Sequence, residues 1–141
     1  MSNGVRDLSG PHTFQFRFAA AQASASTDEE FVAFQVPTDV PTGITLVSAK
    51  WVPDAAVTAN GTNYTTVSVR NRTTGAGTAL PFTRSYAATN STAFVAEAMT
   101  ASGTAADLLA AAGDILTAQR IHTGTGLAVC AGIIVVTYTI R

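Results

Sequence analysis

Charge is scarce in this chain: Asp, Glu, Lys and Arg make up 12% of its 141 residues, about half the share of an ordinary domain. Eight basic residues lie scattered among nine acids, for a net charge of −1. Nothing therefore steers the surface toward nucleic acid or anionic lipid, and neither partner is expected. Cysteine occurs once, at Cys130, which excludes an internal disulfide and a cysteine-built zinc site. Its apolar setting, "GLAVCAGIIVV", reads as a buried structural thiol. Histidine occurs twice, at His12 and His122, far apart and outside any H-x-H or H-E-x-x-H spacing. The converging histidines and carboxylate of a jelly-roll metal enzyme are thus missing. There is no G-x-S-x-G nucleophile elbow and no Walker loop. No catalytic activity, metal or cofactor is expected.

Long apolar runs are also absent. The most apolar stretch, "GLAVCAGIIVVTYTI" at residues 126–140, falls short of the roughly 20 residues that span a bilayer and alternates at its end, so it reads as a terminal strand. The opening "MSNGVRDLSGPHTF" has no signal-like apolar core, so the chain is expected to stay in the cytoplasm where it is made or to join an assembly there. "STDEE" at residues 26–30 lacks the alternate oxygens and the glycine of a calcium loop and reads as a solvated loop or an acidic contact. "TGTG" at residues 123–126 leads into a strand and not a helix, so it predicts a hairpin turn rather than a phosphate cradle. Four Asn-x-Ser/Thr sequons, at Asn60, Asn63, Asn71 and Asn90, follow from loops rich in Asn and Thr.

What is abundant is Ala and Thr, together about a third of the chain, in a pattern of period two. "HTFQFRFAA" puts Phe14, Phe16 and Phe18 on one face and Thr13, Gln15 and Arg17 on the other, a half-buried strand. Further strands are predicted in "FVAFQVP", "ITLVSAKWV", "YTTVSVRNR" (Val67 and Val69 opposite Ser68 and Arg70), "STAFVAEAM", "DILTAQRIH" and "GIIVVTYTIR". A shorter one around Pro81 predicts an edge. A short helical turn competes near residues 104–112, with Thr104 as its cap and Gly113 as its stop. About eight short strands without alternating helices predict an all-β, antiparallel, jelly-roll-like β-sandwich, with an immunoglobulin-like sandwich as the second choice. Residues 1–11 read as an extended N-terminal arm and residues 12–141 as a single β-sandwich domain.

The loop "PDAAVTANGTN" follows Trp51 and holds almost no charge. Its side chains do little beyond packing and hydrogen bonding, and they lose little entropy when ordered. A ligand-binding reading would stack a sugar ring on Trp51 beside Asp54 and Asn60. Against it, Trp51 shares a face with Val47 in "TLVSAKW", which predicts a core residue.

"ITLVSAKWVPDAAVTANGTNYTTVSVRNR", the "GTAL" turn followed by "TRSYA", and "TAADLLAAAGDILTAQRIHTGTGLAVCAGIIVVTYTIR" resemble small β-sandwich structural proteins of tailed bacteriophages, the capsid decoration (cement), minor capsid or head-fibre proteins. The resemblance covers residues 44–141. It implies a jelly-roll-like domain, often a homotrimer, on the outer surface of an icosahedral head, with the major capsid protein as partner. Residues 1–11 lie outside it. With Val5 and Leu8 as their only sizeable apolar groups and Arg6 between them, they are read either as the capsid contact or as a disordered tail. The alternative is a carbohydrate- or receptor-binding module on a virion fibre, using Trp51, Asp54 and Asn60.

Overall fold

Period-two patterning becomes ten strands in the computed structural model, which describes residues 10–25, 27–73 and 77–141. These are β1 (Pro11–Phe18), β2 (Glu29–Gln35), β3 (Ile44–Pro53), β4 (Tyr64–Thr73), β5 (Ala79–Ser85), β6 (Glu97–Ala98), β7 (Thr100–Ala101), β8 (Leu109–Ala110), β9 (Ile115–Thr123) and β10 (Gly132–Ile140). They form two antiparallel sheets. One runs β1-β10-β3-β6, with β8 also on β3; the other runs β2-β9-β4-β5-β7. The chain changes sheet at almost every long connection, and first and last strands pair side by side. That is the strand order of a jelly roll, so the predicted class holds.

Phe14, Phe16 and Phe18 do share the inner face of β1. Phe14 stacks on Phe34 of the opposite sheet at 4.4 Å between centroids, and Phe18 meets Trp51 edge to face. Val67 and Val69 of β4 are buried as the alternation requires. Ser68, on the outer face, is buried too, because its hydroxyl donates to Gln119 Oε1 of β9 at 3.1 Å.

Several local expectations are corrected. "STAFVAEAM" is not one strand: Phe94 has φ +62°, which breaks the extension and leaves an isolated bridge from Ser91 to Val57 and the two-residue β6. "TGTG" is a turn but not a hairpin, since β9 and β10 lie in different sheets; it carries the chain across the sandwich through Gly124 and Gly126 at positive φ. The helical turn is a single 3-10 turn over Ala105–Leu108, and Thr104 makes no side-chain cap. Ser102 braces the turn from outside: its hydroxyl accepts from the Thr104 N–H and donates to the Asp107 carboxylate. The strand of Pro81 is not an edge, since β5 pairs β4 on one side and β7 on the other; Pro81 is accommodated at a register shift between β4 and β5, where a missing N–H is tolerated.

Trp51 and Val47 do not share a face. A bulge opposite Thr137/Tyr138 reverses the parity of β3, so Leu46 points inward before it and Ala49 and Trp51 after it, while Val47 is 52% exposed. Trp51 is still core, with no exposed surface at all. Gly132 lies against its ring; a Cβ there would run into the indole and the Val52 carbonyl. Cys130 is only half-buried, its thiol directed at the Ala55 carbonyl at 3.4 Å. Residues 1–9 of the expected arm lie outside the described residues, and Pro11, also assigned to the arm, is the first residue of β1.

Candidate interaction surface

Two side-chain networks determine which surfaces of this sandwich are rigid. The first supports the loops at one end. Trp51 Nε1–H donates to the Tyr86 hydroxyl at 2.8 Å, which lies 2.7 Å from Ser91 Oγ. Ser91 Oγ donates to Glu97 at 2.9 Å, and Arg84 Nε donates to the same carboxylate oxygen at 2.8 Å. All but Glu97 are buried, and burial raises the Tyr86 phenol above its ordinary pKa despite the hydrogen bonds from its neighbours. Each donor in the chain meets an acceptor, which is the condition for a buried polar network to stabilise.

Above this network the loop after Trp51 is stapled to the loop after β5. Val57 and Ser91 exchange backbone hydrogen bonds at 3.2 and 2.9 Å, and the Asn60 N–H donates to the Tyr86 carbonyl. The Asn90 side chain accepts from the Ala59 N–H at 2.9 Å. Asn60 Oδ1 accepts from the N–H groups of Thr62 and Asn63, an Asx turn that closes the loop on itself. A loop almost without charge is thereby held in one shape.

The second network clamps β2, an edge strand, through consecutive glutamates on opposite faces. Glu29 points inward and takes two hydrogen bonds from Arg120, a guanidinium only 2% exposed. Glu30 points outward and receives Arg72 Nε at 2.7 Å and Nη2 at 2.5 Å, with the Thr117 hydroxyl at 2.6 Å. Arg72, and then Thr117 and Gln119, hold the Glu30 carboxyl down at about 2, against a smaller opposing effect of burial. Its ordinary value is 4.5, so the stabilisation is complete above that pH and fades as pH falls toward 2. The expected result is a drop of about 1 kcal/mol in urea-unfolding free energy between neutral pH and pH 3 that Glu30→Gln lacks, a size set by partial screening of the pair.

The residues singled out for a sugar site are not assembled into one. Trp51 is wholly buried and its indole N–H is used by Tyr86, so no ring face is open for stacking. Asp54 pairs with Arg17, Oδ2 to Nη2 at 2.5 Å, and Asn60 spends its carbonyl on its own loop. Val5, Arg6 and Leu8 lie outside the described residues. His12 stacks on Tyr138, and His122 lies 3.8 Å from Asp28. Among the described residues no group of three or more His, Cys, Asp and Glu could hold a metal ion, and no helix is long and apolar enough to cross a membrane.

Sequence patterning missed the residues that stand out on the surface. Phe94 is 77% exposed, Val32 68%, and Phe31, Val47 and Val95 about half. On the outer face of the first sheet the register aligns Arg17, Ile133 and Val52 in one row and Gln15, Val135 and Lys50 in the next. Aliphatic groups thus run across this sheet face between two cationic side chains.

No family model matches the chain, and no curated protein matches it in sequence. Among solved structures, a chain from the structure of the infectious bursal disease virus Gx strain is similar over 92% of this chain, with 14% identity and a TM-score of 0.40. The match spans 32% of that viral chain, so this chain accounts for about a third of its length. A likeness at that level bears on neither family nor function.

Proposed function

We propose that this chain is a virion structural protein that decorates the outer surface of an icosahedral phage head, binding the major capsid protein as a homotrimer and stabilising its lattice. One structural observation carries the reading: loops almost without charge are stapled into a single shape by the Val57–Ser91 bridge and the buried Trp51–Tyr86–Ser91–Glu97 chain. Side chains of Ala and Thr lose little entropy against a neighbouring surface, and a pre-ordered backbone loses little more. Repeated over many lattice sites, modest contacts of this kind add up. The sequence resemblance over residues 44–141 supports the same role, and no observation favours the sugar-binding alternative.

The test uses heads assembled from the major capsid protein alone. Added protein is expected to bind saturably and to raise the temperature at which the shells come apart. Removing residues 1–9, which keeps Pro11 of β1 in place, is expected to lower occupancy at least about tenfold if Val5, Arg6 and Leu8 make the contact. Unchanged occupancy takes the arm out of the mechanism, and failure of the full chain to bind any shell rejects the role.

A further inference from the structure

Asn60 and Gly61 lie in the loop that the Val57–Ser91 bridge holds in place, and both are exposed. The Asn60 N–H is tied to the Tyr86 carbonyl at 3.0 Å. Its side chain is positioned through its oxygen: Oδ1 accepts from the Thr62 and Asn63 N–H groups, each at 2.9 Å. Among the described residues nothing accepts a hydrogen bond from Asn60 Nδ2 or from the Gly61 N–H. The turn does not require a glycine at position 61 either. Gly61 takes no positive φ, and a Cβ there would meet only the Ala87 carbonyl, at an ordinary 3.6 Å.

This arrangement suits one reaction, the attack of a backbone nitrogen on the side-chain amide that precedes it. The Gly61 nitrogen gives its proton to hydroxide and bonds to Asn60 Cγ, and negative charge develops on Oδ1. Two N–H groups already point at that oxygen, as donors do in an oxyanion hole. The intermediate collapses by breaking the Cγ–Nδ2 bond; the leaving nitrogen takes a proton from water, departs as ammonia and returns the hydroxide. A five-membered imide remains, and water opens it at one of two carbonyls. Addition at Cγ breaks the bond from Cγ to the Gly61 nitrogen and gives aspartate. Addition at the main-chain carbonyl gives isoaspartate, with the backbone rerouted through Cγ. The Thr62 and Asn63 N–H groups polarise the Cγ carbonyl and not the main-chain one, so opening in this loop favours aspartate. One water is consumed and one ammonia released, with no change of oxidation state.

We propose that Asn60–Gly61 is a self-modifying site, at which the folded protein converts asparagine to aspartate without an enzyme. The other asparagines among the described residues lack the combination. Asn71 is 3% exposed and its Nδ2 is bound to Asp114. Asn90 is followed by Ser91, whose N–H is spent on the Val57 carbonyl at 2.9 Å. Asn63 Oδ1 accepts from the Thr125 N–H, and the Tyr64 side chain after it crowds the attacking nitrogen. Conversion places a negative charge in a loop that carries almost none. The new carboxylate can accept from the same two N–H groups, now with charge assistance, so the turn is kept while its surface changes sign. The reaction needs no shell; its failure leaves the proposed shell binding intact, and the reverse also holds.

The experiment is peptide mapping by mass spectrometry of the full chain held in warm, mildly alkaline buffer, beside a synthetic peptide of residues 56–66. Mapping also separates this site from Asn3–Gly4, which lies outside the described residues. Asn60 in the folded chain is expected to convert at least as fast as in the peptide, and at least about tenfold faster than Asn63, Asn71 and Asn90. Its product is expected to be mainly aspartate, read by an aspartate-specific protease. The free peptide has no fixed pair of donors and is expected to give mainly isoaspartate. Gly61→Ala keeps both donors and fits the backbone, so its thermal midpoint is expected to stay level or rise. Its conversion is expected to slow at least about tenfold, because a Cβ crowds the attacking nitrogen. Asn60 that stays intact while the peptide converts, or an isoaspartate share equal to the peptide's, overturns the proposal.

Discussion

Replacing Glu29 by Ala is expected to cost about 3–5 kcal/mol of folding free energy, because it leaves a buried guanidinium without its counter-charge. Arg120 is 2% exposed, and both Nε and Nη2 donate to Glu29 Oε2, at 2.9 and 2.5 Å. Its remaining bonds go to the carbonyls of Ala20, Cys130 and Val129, at 2.9, 3.1 and 3.5 Å, and its plane lies 4.4 Å over the Phe18 ring. Carbonyls solvate the cation but do not neutralise it, so the loss of Glu29 is poorly compensated. The same guanidinium ties β9 to β2, to the loop after β1 and to the loop before β10, so the penalty spreads across both sheets. A chain of this size should lose roughly 10–20 °C of thermal midpoint. Glu29→Ala combined with Arg120→Met should recover much of that loss, since an apolar side chain of similar length needs no counter-charge. Unfolding by urea, followed through the fluorescence of Trp51, measures all three proteins. A single-variant loss under 1 kcal/mol would mean that Arg120 finds water or another acid when Glu29 is gone.

Trp51→Ala is expected to be comparably damaging, at about 3–5 kcal/mol, and for a separable reason. The indole is wholly buried, meets Phe18 edge to face at 6.0 Å and leaves space on its far side only for Gly132. Truncation opens a large cavity and strands the Tyr86 hydroxyl without its donor. Tyr86→Phe isolates the polar part: it keeps the ring but leaves the indole N–H unpaired, which should cost about 1–3 kcal/mol. The ordering Trp51→Ala well above Tyr86→Phe is the measurable signature of packing plus a hydrogen bond. Equal losses in the two variants would show that the Tyr86–Ser91–Glu97 chain, and not the ring, carries the stability. Amide exchange in residues 54–63 and 86–92 should rise in Tyr86→Phe, because those loops rest on this chain.

Local patterning carried most of the fold. The alternation of Phe14, Phe16 and Phe18, and of Val67 and Val69, places those residues inside without reference to any partner, since a strand side chain has only two directions available. It failed where the period itself breaks. The β3 bulge at Val47 moved Trp51 to the inner face by a different count than simple alternation, and φ +62° at Phe94 reduced an apparently continuous strand to a lone bridge at Ser91 and the two-residue β6. Neither event has a local signal, because the cost of each is set by residues far along the chain.

Composition and spacing by themselves determined that this chain is all-β and sparingly charged, because those properties depend only on which residues occur and on their period of two. Tertiary structure decided the rest: that Glu29 faces inward to Arg120 while Glu30 faces outward to Arg72, and that Trp51 is closed to ligands by its bond to Tyr86. Each of these pairs residues or surfaces brought into relation only by strand order and sheet packing. Hydrogen-bond reach and burial are properties of distance in space, and sequence separation does not encode them.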